Sequence, residues 1–436
     1  MKIPEKPHDL NEILKAKRTE IGKLLENKEI MKHVANYNRE YVHWEQLRRK
    51  DIVKNVDPEA VWALIKVIRQ NRQKILKIGD EKFRYVLTDE IFKRLHMLDK
   101  GSAGRLESTF EFINREGKER YVISSLMEEA IASSQLEGAN TTRRLAKEML
   151  RKNKKPRNYS EKMIVNGYIT MQNILKMKNK ELTPELILEV QKSITTDTLK
   201  NKEDEGKFRD NNEIVVGDAI DIEKIFYTPP DYKKIPELIE DLCKFANSDI
   251  EEFIHPIIKG IILHFLIGYI HPFNDGNGRT ARSIFYWYVL SKGYWLFEFM
   301  AISRILLRSK VEYGLSYLYT ETDNNDLTYF INYNLNAIEE ALHDTENYIA
   351  GKQKEQEEVL KIIKTLKVTN TRQANILREL MKEPDKVFSI KEIMNTYGVV
   401  YQTARADMLY LSRKNYIEKL KIGKKFGFKI KRTNLY

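Results

Sequence analysis

A single cysteine, Cys243, stands in 436 residues, so no disulfide can form within the chain and no all-cysteine zinc site can be built. That scarcity fits a reducing compartment, and a cytoplasmic protein is expected. No basic segment followed by an apolar stretch opens the chain, which argues against secretion through a cleaved signal. The longest apolar run, 253–270, contains Pro256, Lys259 and two histidines; a buried core helix explains it better than a membrane span, and no membrane partner is expected. At 42% hydrophobic and 32% charged residues the composition is that of a globular protein, and the length predicts two or three domains. Acidic residues are scarce in one place. From Thr369 to Tyr436 there are 15 Lys and Arg against 6 Asp and Glu, an excess of nine in a chain whose net charge is +12. Such an asymmetry suggests an anionic partner for the tail, nucleic acid foremost.

What is present is concentrated in His271-Pro272-Phe273-Asn274-Asp275-Gly276-Asn277-Gly278-Arg279-Thr280-Ala281-Arg282. The stretch holds a base, a carboxylate, two glycines around an amide, and two arginines at i and i+3. Glycines at 276 and 278 let the backbone take positive φ and turn successive N–H groups toward one anion, and a helix starting there adds its positive end. Arg279 and Arg282 can fork onto further phosphate oxygens. A Gly-Asn-Gly alone is ordinarily a turn, and a lone His before Pro a loop histidine. All of them together describe a site that handles phosphates.

The stretch resembles the signature of the Fic (Fido) family, His-x-Phe-x-Asp/Glu-Gly-Asn-Gly-Arg-x-x-Arg, with every fixed position filled. The resemblance is dense from His255 to about Leu342, patchy from Glu128 to Ala246 and weak in the first hundred residues. It implies a mainly helical, all-α Fic fold with one short β-hairpin flap, and transfer of AMP from ATP to a Ser, Thr or Tyr hydroxyl of a protein target, the chain itself included. By the same resemblance His271 would be the catalytic base, Asp275 the Mg²⁺ ligand, and Gly276, Asn277, Gly278, Arg279 and Arg282 the nucleotide-binding residues. Kinase activity, the property of the related Doc proteins, is disfavoured because Gly-Asn-Gly-Arg is retained. Another nucleotide such as UTP, or removal of AMP rather than its addition, remains open on residues alone.

Upstream, a helical pattern from Arg120 runs through Ser133 and Glu137 to Gly138, a plausible helix stop. Ser133 and Glu137 share a face at i and i+4. Alone they would mean nothing, but the segment resembles the Ser/Thr-x-x-x-Glu-Gly/Asn inhibitory helix of Fic proteins, which implies that Glu137 reaches Arg282 and blocks ATP. Two β-rich runs, 213–217 and 224–228, read as a hairpin, the only clear one before the C-terminal domain. The resemblance makes it the flap, with Ile225, Phe226 and Tyr227 aligning the target by strand addition.

The remaining chain divides into expected segments. Residues 1–105 read as a helical packing or oligomerisation region without chemistry, and a homo-oligomer is possible. Residues 106–182 carry the inhibitory helix, 183–345 the catalytic core and 346–368 a charged linker. Thr183 and Pro184 mark a helix start, and His264 reads as a core histidine bonded to nearby backbone. In 369–436, three helices, a Ser389-Ile-Lys-Glu392 capping box and a basic hairpin resemble a winged helix-turn-helix. Its third helix would offer Gln402, Thr403, Arg405 and Arg413 to a DNA groove, with Lys424 and Lys425 on the wing. A different class of function follows from that end: a DNA-binding regulator whose other half senses nucleotide.

Overall fold

The computed structural model describes all residues except 1, 102–114, 218–223, 249–252, 367, 423–424 and 432–436. Two compact units divide it, Met1–Thr345 and Glu346–Tyr436. The first is helical. It opens with α1 (Leu10–Ala16), α2 (Arg18–Glu26), α3 (Lys28–Glu40) and α4 (Trp44–Leu47), packed around α5 (Pro58–Gln70). Asp57 caps α5 through Glu59 and Ala60, ahead of Pro58 at its first position, and Trp62, Val61 and Ile65 are sealed in this subcore.

A hairpin follows that the sequence reading missed, β1 (Lys74–Ile78) paired antiparallel with β2 (Glu81–Tyr85). The expectation of one hairpin before the C-terminal segment is therefore corrected. Gly79, at φ +56°, turns the chain with Asp80, a turn signal hidden because Lys-Ile-Leu-Lys-Ile lacks clean polar alternation. Beyond α6 (Asp89–Lys100) come α7 (Arg115–Leu136), α8 (Arg143–Arg151), α9 (Tyr159–Met177) and α10 (Pro184–Thr195). α7 begins earlier than Arg120, and Gly138 lies just past its end at φ +91°. Thr183 caps α10 through Leu186, as its sequence signals.

The centre of the unit is α12 (Pro256–Ile270) against α13 (Asn277–Ser291), preceded by α11 (Ile235–Asn247). α12 is hydrophobic all round and buried nearly throughout, which is why the 253–270 run reads as it does. Its neighbours include α14 (Ile302–Arg308), α15 (Lys310–Thr322) and α16 (Thr328–Leu366), the last running past the division at Thr345. No helix among the described residues is long and apolar enough to cross a membrane.

In the second unit, α17 (Thr371–Lys382), α18 (Ile390–Tyr397) and α19 (Tyr401–Arg413) are followed by β6 (Ile417–Ile422) and β7 (Lys425–Ile430). A short β5 (Phe388–Ser389) completes a three-stranded antiparallel sheet in the order β5-β7-β6. The Ser389–Glu392 capping box is formed. Leu377, Leu380, Ile393, Met408, Leu411 and Phe428 make its core.

Candidate active site

α12 ends at His271 in the left-handed region, φ 49° and ψ 55°. This unusual backbone for a non-glycine residue turns the chain out of the core and leaves the imidazole at the rim. His271 Nδ1 lies 3.1 Å from the Gly268 carbonyl. A carbonyl only accepts, so Nδ1 carries the hydrogen and Nε2 holds the free lone pair. Burial holds the His271 pKa below its ordinary value, with Arg209 acting the same way, although the Gly268 carbonyl and Glu137 oppose it.

The loop that follows is held by its own side chains. Asn277 Oδ1 accepts from Phe273 N at 2.9 Å and Nδ2 donates to Phe273 O at 2.7 Å. The Asn277 side chain is thus spent on the loop, leaving only its backbone N–H for a ligand. Phe273 is fully buried and stacks on Phe208. Gly276 caps α13 at φ +84° with no side-chain cap, so the first N–H groups of the helix have no intrahelical acceptor and face outward. That leaves an anion site.

Arg209 secures this loop from outside and was visible in the sequence only as part of a Gly206-Lys-Phe-Arg209 string. Its N–H donates to Pro272 O at 2.9 Å, Nε to His271 O at 3.0 Å and Nη1 to Asn211 O at 2.7 Å. Gln191 on α10 does the same from below, joining Asp275 O at 3.2 Å to Gly206 N at 2.6 Å. Neither residue follows from spacing, because the partners are far apart in sequence.

The two arginines diverge. Arg279 is buried; Nη1 donates to Ile194 O at 3.1 Å, and Nε and Nη2 have no hydrogen-bond acceptor among the described residues. Asp275 Oδ1 stands 3.6 Å from Nη2 and accepts from Gly276 N. Arg282 Nη2 meets Glu137 Oε1 at 2.8 Å, while Nε donates to Ser133 Oγ at 2.9 Å and Nη2 to Ser133 O at 3.1 Å. The arginine is 3% exposed and the glutamate 32%. Burial alone would raise the Glu137 pKa, but Arg282 outweighs it and the net shift is downward.

Glycine is required at 278. A Cβ there would strike Glu137 Oε1 and come within 3.1 Å of Arg282 Nη1. The carboxylate therefore packs against the Gly278 backbone in the first turn of α13, the end of a helix that favours an anion.

Ser133, Glu137, His271, Asp275 and the 276–282 helix turn thus converge, although Ser133 arrives from α7 and Glu137 from the turn just past its end. In the hairpin, β3 (Val216–Gly217) pairs with β4 (Ile225–Tyr227). Phe226 and Tyr227 border a cavity of about 220 Å³ shared with His271, Gly278 and Arg282. Ile225 is exposed, and Tyr227 donates to Tyr269 O at 3.0 Å. His264 is a core residue, but its partner is the Tyr313 hydroxyl at 2.8 Å rather than backbone. In the second unit Gln402, Arg405 and Arg413 are exposed on α19 and Thr403 is half-buried. Lys424 lies outside the described residues, and so does the side chain of Lys425.

A single carboxylate is a weak metal site by itself, and no cluster of three or more metal-ligating side chains exists among the described residues. Asp275 suits Mg²⁺ as a hard oxygen donor whose carboxylate is 43% exposed, since that ion commonly takes one or two carboxylates plus phosphate oxygens and waters.

Comparison with known proteins places this arrangement. Residues 181–289 match the model of the Fic/DOC family. The protein adenylyltransferase Fic of Drosophila sechellia is 32% identical over 89 residues, covering 20% of this chain and 16% of that protein. Its Drosophila ananassae counterpart is 29% identical over 129 residues, 29% of this chain and 23% of that protein. The chain thus spans less than a quarter of the length of these curated relatives. In fold it resembles a Fic family protein from Desulfovibrio desulfuricans, with a TM-score of 0.50 and 16% identity over 80% of this chain and 96% of that one. A fragment of Fic-1 from C. elegans gives 0.51 and 14% over 78% and 91%. The stretch that matches the Fic/DOC family model, residues 181–289, takes in α10, the buried α12 and the phosphate loop between α12 and α13.

Proposed function

We propose that the chain transfers AMP from ATP to a hydroxyl of a protein and that Glu137 restrains it. His271 Nε2 takes the proton as the hydroxyl oxygen attacks the α-phosphorus. The bond from that phosphorus to the bridging oxygen breaks, and pyrophosphate leaves. The N–H groups at the start of α13 and the guanidinium groups of Arg279 and Arg282 receive the charge that develops on the leaving group. Mg²⁺, held by Asp275 and phosphate oxygens, would supply further charge neutralisation. Phe226 and Tyr227 sit where a target segment paired along β4 would bring its hydroxyl to His271.

The observation that supports restraint is the 2.8 Å pair between Glu137 and Arg282. It removes a phosphate-binding cation and sets a negative charge in the anion site. Glu137→Gly protein incubated with Mg²⁺ and ATP labelled at either the α- or the γ-phosphate should acquire label from the α position only. Labelling from γ would make the domain a kinase, and no labelling in any variant would remove transferase activity.

A second reading concerns the C-terminal unit, where Gln402, Arg405 and Arg413 point from one exposed helix into a region of excess positive charge. DNA binding is proposed for that face. A gel shift with random and genomic DNA should weaken steeply as salt rises, because phosphate contacts release counterions. A shift that is absent, or that ignores salt, sinks the idea.

A further inference from the structure

The cavity beside His271 has a wall unrelated to the phosphate loop. α15 lines it with Tyr313, Tyr317 and Glu321, spaced at i, i+4 and i+8 and therefore on one helical face. The flap contributes Val216, Phe226 and Tyr227 to the lining. At about 220 Å³ the space lies below the roughly 300–1,000 Å³ that encloses a whole drug-sized ligand, and suits a single flat ring system. Gly278 and Arg282, where the phosphates are placed above, line it as well.

Among these aromatic walls Glu321 is out of place. No hydrogen bond or ion pair joins its carboxyl to another described residue, yet the chain ahead of it is tied down with care. Thr322 Oγ1 is 3.3 Å from His43 Nε2, and Lys66 Nζ meets the Asp323 oxygens at 2.8 and 2.9 Å. Tyr329 and Tyr41 donate to Asp323 and Asp326, each at 2.8 Å. Arg84 pairs through its backbone with Asn325 and Leu327. The N-terminal helices and the β1–β2 hairpin therefore hold the turn that directly follows Glu321 at the end of α15.

With the adenine ring seated in this cavity, we propose that the Glu321 carboxyl is the specificity-determining group that reads its amino-pyrimidine edge. The proposal rests on the nucleotide reading given under the proposed function. Burial pushes the Glu321 pKa up to about 8, so at neutral pH the carboxyl is an acid with one donor and one acceptor. Its O–H matches the ring N1 of adenine and its carbonyl matches the 6-amino group. Once ionised it offers acceptors only, and the N1 contact is lost. The other titratable or charged groups on the cavity are Glu137, His271 and Arg282 around the loop, and Tyr227, Tyr313 and Tyr317 on the walls. Glu81 of β2 acts on Tyr227 from behind.

The test compares ATP with purine riboside triphosphate, which lacks the 6-amino group, in the Glu137→Gly background, by both direct nucleotide binding and AMP transfer. ATP should be preferred about tenfold at pH 7, the worth of a buried polar group left unpaired, and the preference should persist above pH 8, where the ionised carboxyl still accepts from the 6-amino group, while both nucleotides bind more weakly because each loses its N1 contact. Because the two nucleotides share His271, its titration cancels from the ratio. Glu321→Leu should abolish the preference at every pH. Glu321→Gln, whose amide also offers one donor and one acceptor, should keep it and remove the weakening of binding above pH 8. A preference unchanged in Glu321→Leu overturns the assignment while leaving the transferase intact; failure of every variant to bind or use either nucleotide overturns the underlying function instead. Thermal unfolding of both variants separates a collapsed wall from a lost contact.

Discussion

Glu137→Gly is expected to transfer AMP on the order of 100-fold faster than the wild-type chain at limiting ATP. A protein that is binding-competent only a fraction of the time shows an affinity reduced by that fraction. If the contact with Arg282 is closed about 99% of the time, opening it permanently restores two decades, roughly 2.7 kcal/mol. That size is consistent with the geometry. Arg282 is almost fully buried and holds Glu137 at 2.8 Å, but the glutamate is 32% exposed, so water screens the pair and an overwhelming lock is not available. Glu137→Gln keeps the bulk against Gly278 and loses the charge, and should fall between the two. Without nucleotide, Glu137→Gly should also be less stable, since Arg282 keeps the Ser133 hydroxyl and carbonyl and the Tyr313 hydroxyl beside it but loses its counter-charge; the cost should be below the roughly 3–5 kcal/mol of a fully buried pair. ATP should return most of it by placing a phosphate on the freed guanidinium. Rates measured against ATP concentration, with thermal unfolding with and without ATP, decide the matter. Equal rates in wild type and variant would end the restraint proposal.

How much of this was legible before the structure depends on the distance over which each feature is encoded. The phosphate loop is written in one contiguous stretch, so its glycines, base and carboxylate could be assigned roles from residue type alone. Helix starts are equally local: Thr183 before Pro184, and the Ser389–Glu392 box, each cap the helix they announce. Contacts across the chain were not legible in that way. Glu137 and Arg282 lie 145 positions apart, and only the family resemblance joined them. Arg209 was readable as a basic residue near a loop but not as the clamp on His271 and Pro272. The first hundred residues look inert, yet they hold a distant turn in place. Lys66 meets Asp323 and Arg69 meets Tyr329 across 257 and 260 positions, and no periodicity marks a residue as the buttress of a distant turn. Glu321 was hidden for a related reason: a glutamate on a helix reads as solvated until a flap and two tyrosines are seen around it.

His271→Ala, placed in the Glu137→Gly background, should lose AMP transfer by roughly 10²–10⁴-fold, the usual worth of a positioned general base. Binding of ATP should change little, because the imidazole faces the hydroxyl rather than the phosphate cradle. The pH profile separates a base from a merely structural ring. Burial lowers the His271 pKa below its ordinary value, whereas Glu137, by attracting the cation, raises it. The acid limb of kcat/KM, which reports the free enzyme, should therefore lie below the ordinary histidine range, with activity level from neutral pH upward. Removing Glu137 takes away a group that favours the imidazolium, so the limb in Glu137→Gly should move further toward acid, not toward neutral. A limb that moved upward, or a His271→Ala variant that kept its activity, would show that some other group accepts the proton. The backbone adds a control. His271 holds a left-handed conformation with Nδ1 on Gly268 O, so His271→Asn, a residue that tolerates that conformation better than most, should preserve the fold yet share the catalytic loss.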